Sequence, residues 1–165
     1  MRAVTSAVFV EDSPRNVALS RSPQKGVGAV SEASVFSHAC TTPPWRDVMS
    51  KHVVVLANLP DNWDSYGASS VSLSIANAAL CFVESVSTSR TPQPAIVPTN
   101  DGKLQVEWHT QGIDLEVKII SQSAVSYSLE DSRGDFPSVE ERELRYDLTD
   151  LQRAIMRLTA RANVG

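Results

Sequence analysis

The chain has 165 residues, 42% of them hydrophobic and 21% charged, with a net charge of −4. That suits one domain with room for a tail, and it excludes the strongly basic footprint of many nucleic-acid binders. Two cysteines, Cys40 and Cys81, are too few for a disulfide framework, and no run of about 18 apolar residues occurs, so the expectation is a cytoplasmic chain with no membrane span.

Residues 1–43 are rich in Ser, Ala, Val and Gly, with prolines at 14, 23 and 43, and carry no sustained periodicity. They read as a tail that is flexible or that orders on a partner, and residues 44–165 as a single domain. The short apolar run before Val10 is interrupted by Glu11 and Asp12, which makes a poor signal peptide. Gly26-Val27-Gly28 lacks the third glycine and preceding strand of a nucleotide-binding fingerprint.

From Pro44 the pattern becomes helical. Trp45, Val48, Met49, His52, Val53 and Leu56 recur at three- and four-residue steps, predicting a helix over 44–58. The β-branched run Val53-Val54-Val55 works against it, and Pro60 ends it. Leu59 to Ala68 reads L-P-D-N-W-D-S-Y-G-A, a loop by composition. Its rings, Trp63 and Tyr66, are expected to fold back onto the core. A second helix is expected over 70–87, capped by Ser69 or Ser70, with Val71, Ile75, Ala78, Ala79, Phe82 and Val86 on one face.

The period then changes from 3.6 to 2. Ala95 to Val97 is a short edge strand limited by Pro98, and Asn100-Asp101-Gly102 is a turn. Leu104, Val106 and Trp108 alternate with polar residues, as do Ile113, Leu115, Val117 and Ile119. A two-residue turn at Gln111-Gly112 sets Trp108 opposite Leu115, Val106 opposite Val117 and Leu104 opposite Ile119. Val125, Tyr127 and Leu129 extend the same face into a third strand. Residues 131–143 are polar, with Gly134 and Pro137, and read as a connection. Asp147 is expected to cap a last helix over 148–161 with Leu148, Leu151, Ile155 and Leu158 inward and Arg153, Arg157 and Arg161 on the far side. The fold class is therefore α+β: two helices, a short edge strand, a three-stranded antiparallel meander, then a C-terminal helix.

Two stretches, L-P-D-N-W-D-S-Y-G-A at 59–68 and P-T-N-D-G-K-L-Q-V-E-W at 98–108 followed by I-D-L-E-V, together resemble a set of small bacterial proteins. These share an N-W-D-x-Y-G-A box and a D-G-x-x-x-x-E-W strand. The resemblance spans roughly residues 50–130. It implies a bacterial or phage source and an α–loop–α–meander core, and it carries over no functional residue.

Charge is uneven: residues 92–131 hold two basic and six acidic side chains, which accounts for the whole net charge. The register places Glu107 opposite Glu116 and His109 opposite Asp114 on the polar face, with Glu130 one strand further on. Opposed side chains lie ~4.5–5.5 Å apart at Cβ, and like charges there are destabilising. A counterion is implied, whether a basic partner, a metal or an Arg from elsewhere in the chain, unless the glutamates splay into water. Two carboxyls at that spacing would suit a retaining glycosidase, but a flat sheet face offers no sugar cleft.

Asp61, Trp63, Asp64 and Tyr66 form a candidate binding loop, against which stands a structural role, since Asp and Asn stabilise turns. The histidines at 38, 52 and 109 share no metal spacing, and His52 reads as a core residue. No G-x-S-x-G elbow, H-E-x-x-H or phosphate loop occurs. Cys81 has no basic neighbour to lower its pKa and is expected to be buried. The leading expectation is thus a non-enzymatic protein-interaction module without cofactor or metal. It would resemble an antitoxin, immunity or regulatory inhibitor protein and bind a basic partner through the acidic sheet face. The alternatives are a metal-dependent enzyme using the sheet carboxylates and a nucleic-acid accessory protein using Arg153, Arg157 and Arg161.

Overall fold

A computed structural model describes residues 43–164. The tail expected over 1–43, with His38 and Cys40, lies outside them apart from Pro43, which is buried. The elements run α1 (Arg46–Ala57), α2 (Leu73–Val86), β1 (Ala95–Pro98), β2 (Leu104–Thr110), β3 (Ile113–Ser121), β4 (Ala124–Asp131), β5 (Val139–Arg145) and α3 (Thr149–Ala162). The strands make one antiparallel sheet in the order β1-β2-β3-β4-β5. The class is α+β as the periodicities require, but the meander is longer than expected.

The hairpin register follows from its turn. Gln111 at φ 53° and Gly112 at φ 78° both adopt left-handed backbone, the combination a two-residue type I′ turn demands. A Cβ at Gly112 would also meet Ser132 Oγ, which would have to turn aside. Leu104 then faces Ile119, Val106 faces Val117, and Trp108 faces Leu115. All six are at most 1% exposed, and each such burial stabilises by about 1.5–3 kcal/mol. The Trp108 indole N–H donates to Pro92 O at 3.0 Å, so its one polar atom is satisfied inside the core.

The fifth strand corrects the reading of 131–143 as a connection. Its sequence, V-E-E-R-E-L-R, has no period-2 apolar alternation. The reason is geometric. Val139 pairs with Leu129 and Leu144 with Val125, and a register shift lies between Tyr127 and Leu129. The partners are four residues apart on β4, while Val139 and Leu144 are five apart on β5. The extra residue of this bulge lets both apolar side chains pack toward the core and breaks the alternation.

The helices cover one side of the sheet, with α2 against β2 and β3, α1 against β1 and α2, and α3 against α2. α1 forms despite its β-branched run. Met49, Val53 and Leu56 are buried, whereas Val48, Val54 and Val55 are exposed. His52 is likewise exposed, against the expectation of a core residue, and its Nε2–H donates to Ile96 O at 2.9 Å. α2 begins later than expected because Ser72, not Ser69 or Ser70, accepts from Ile75 N–H. The earlier serines are engaged elsewhere: Ser69 N–H donates to Asn100 O and Ser70 N–H to Asp61 Oδ1. Cys81, expected inside, lies on the exposed side of α2. In α3 the stripe Leu151, Ala154, Ile155 and Leu158 is buried; its N-cap is Leu148, without a side-chain cap, rather than the expected Asp147, whose Oδ1 accepts from Thr149 N–H at 2.9 Å one residue before the cap. Among the described residues no helix is long and apolar enough to cross a membrane.

Candidate functional site: the acidic face of the sheet

The residues that alternate with the core positions stand on the face the helices leave uncovered. β2 contributes Gln105, Glu107 and His109, which pair with Lys118, Glu116 and Asp114 of β3. β4 continues the rows, with Ser126 beside Lys118, Ser128 beside Glu116 and Glu130 beside Asp114. β5 adds carboxylates that the sequence reading did not single out, Glu140, Glu141 and Glu143. Their one sequence signal is the E-x-E spacing of Glu141 and Glu143, obscured by the bulge.

The opposed glutamates do not splay apart, and a neutral amide bridges them. The Gln105 amide donates to Glu107 Oε1 at 3.1 Å and to Glu116 Oε2 at 3.0 Å, so one NH2 group bridges the two like charges. His109 donates from Nδ1 to Asp114 Oδ1 at 2.9 Å and from Nε2 to Glu107 Oε2 at 3.2 Å. The result is a continuous relay, Glu116–Gln105–Glu107–His109–Asp114. The bonds to Asp114 and then Glu107 raise the His109 pKa above its ordinary value. Lys118 is drawn aside to Asp101 at 2.8 Å, and that contact, with the Thr99 hydroxyl, holds the Asp101 carboxyl below the usual range.

Toward β5 the face changes character. Two shallow depressions, of about 350 Å3 and 240 Å3, adjoin there and share Glu116, Ser128 and Glu140. Glu130 borders the first, and Glu141, which accepts from Ser126 Oγ at 2.9 Å, borders the second. Glu130 and Glu140 have no ion-pair partner among the described residues. Also among the described residues, no group of three or more His, Cys, Asp or Glu is arranged to hold a metal ion.

The aromatic loop is built by its acids. Asp64 Oδ1 accepts from Tyr66 and Ala68 N–H, Asp61 Oδ1 from Ser70 N–H, and Asn62 Oδ1 from Gly67 N–H. These bonds lower the Asp61 and Asp64 pKa values and hold Asn62 and Ser65 in left-handed backbone. The rings do not both fold inward: Trp63 is half-buried and Tyr66 is 92% exposed.

The arginines do not form one free stripe: Arg153 and Arg157 are exposed, but Arg161, expected on the far side of α3, is largely buried. Arg161, 13% exposed, makes a bidentate pair with the fully buried Asp131 carboxylate at 2.8 and 2.7 Å and a further bond to Asp135. Arg157 lies over the Phe136 ring at 5.1 Å, and Arg153 approaches Asp150 at 3.4 Å.

Comparison with known proteins adds no relative: no family model, no curated protein and no solved structure matches the chain.

Proposed function

We propose that this chain is a non-enzymatic protein-interaction module that binds a basic partner through the acidic sheet face. Antitoxins, immunity proteins and small regulatory inhibitors of bacterial or phage conflict systems are the kind of protein it would be. The observation that carries the reading is the concentration of Glu116, Glu130, Glu140 and Glu141 around two adjoining shallow depressions between β3 and β5, where Lys118, the one cation at their edge among the described residues, is paired with Asp101. Crowded carboxylates repel one another, and a partner's Lys or Arg side chains would relieve that repulsion. The same field would steer a cationic partner into encounter. The β2 end of the face, whose carboxylates already accept hydrogen bonds from Gln105 and His109, would form the rim rather than the centre of the contact.

Pull-down with the tagged full-length chain from its host, at low and high salt, tests this. A basic protein should be retained at low salt. A Glu116→Gln, Glu130→Gln, Glu140→Gln variant should retain about tenfold less of it. Recovery of the tagged chain alone at both salt levels, or equal retention by the variant, would exclude the reading.

A further inference from the structure

On the helix side of the sheet, away from the carboxylates, a depression of about 510 Å3 opens between α2, the β3–β4 turn and the segment entering α3. Phe82, Ile119, Val125 and Leu148 make its walls apolar, and Ser85, Ser121 and Ser123 give it hydroxyls. Among the described residues, no charged side chain lines it. The exposed Cys81 thiol is part of the wall. Tyr146, 87% exposed, also lines it, its backbone at φ 61° and its N–H donating to Ser123 O at 3.1 Å.

The volume falls in the range of small-molecule sites, which are mostly apolar with a few placed polar groups. The apolar and neutral polar lining points to the ligand class. An ion entering here would lose its hydration with no counterion to replace it, whereas an apolar body would displace water from apolar walls. The serine hydroxyls offer a hydrogen bond to one neutral polar group. We propose that this depression binds a small, uncharged, largely apolar organic molecule carrying one hydrogen-bonding group. The site is independent of the acidic face and lies on the other side of the sheet.

Fluorescence titration of the full-length chain with N-phenylnaphthylamine, a neutral apolar amine, tests the proposal. Saturable enhancement at one site per chain is expected. At saturation, alkylation of Cys81 by iodoacetamide, followed by peptide mapping, should slow about tenfold. Cys81→Phe fills the depression from an exposed helix position and should weaken binding at least about tenfold, while Cys81→Ser should leave it within about twofold. The anionic analogue anilinonaphthalene sulfonate should bind about tenfold more weakly than the amine. Non-saturable enhancement, or unchanged binding by a Cys81→Phe variant with native circular dichroism, would overturn the site. So would self-association of the wild type that Cys81→Phe abolishes, because the depression would then be a contact between copies of the chain.

Discussion

His109 sits between two carboxylates, and a carboxylate oxygen only accepts. Both of its ring nitrogens must therefore donate, which the neutral ring cannot do, and the imidazolium is the form that satisfies both contacts. Its pKa is raised, so its contribution to stability is complete below the ordinary imidazole value and is lost as pH rises through the higher folded value. The ring is about half exposed, so the effect on stability is small. An NMR titration of His109 should give a midpoint above about 6.5, and Asp114→Asn should lower it. If the acidic face binds a basic partner, deprotonation of His109 makes that face more negative. Binding should then strengthen by about two- to threefold as pH rises through this midpoint, and His109→Gln should flatten the dependence.

At the scale of the element, burial overrides local preference. The Val53-Val54-Val55 run costs α1 some helix propensity, yet the helix forms because Met49, Val53 and Leu56 seal it to the core. In the hairpin the two signals agree, since turn chemistry and alternation specify one register. Leu115→Ala removes a fully buried side chain from the central strand and should cost about 2–5 kcal/mol, read as a lower urea midpoint. Val55→Thr, on the exposed side of α1, should stay within about 0.5 kcal/mol in the same assay.

Across the whole molecule, Asp131 and Arg161 close the end of the fold. Asp131 ends β4 and accepts from Arg133, Asp135 and Phe136 N–H as well as from Arg161 near the end of α3, so one carboxylate ties the β4–β5 connection to the last helix. The arginine beside it holds its carboxyl far below the usual range. A depressed carboxylate contributes stability that is present above its unfolded pKa and is lost as pH falls through the folded value. Urea midpoints should therefore fall on acidification below about pH 4, and Asp131→Asn should remove part of that slope while destabilising the chain at neutral pH. Arg161→Lys should also destabilise it, because an ammonium group cannot reproduce the paired geometry.

The sequence by itself determined the strands of residues 95–131, the facing of Glu107 with Glu116 and of His109 with Asp114, and the buried stripes of α2 and α3. Those features depend on periods of 2 and 3.6 and on one turn whose backbone few residues adopt. The rest was decided by tertiary structure. The alternation of β5 is broken by a bulge. The opposed glutamates are reconciled by Gln105, a residue whose role appears only when two strands meet. Arg161 finds its carboxylates 30 and 26 residues away in the chain. Pairings between segments distant in sequence leave no local period, and it is they that tie up the carboxylates at the β2 end of the acidic face in hydrogen bonds and leave those toward β5 open.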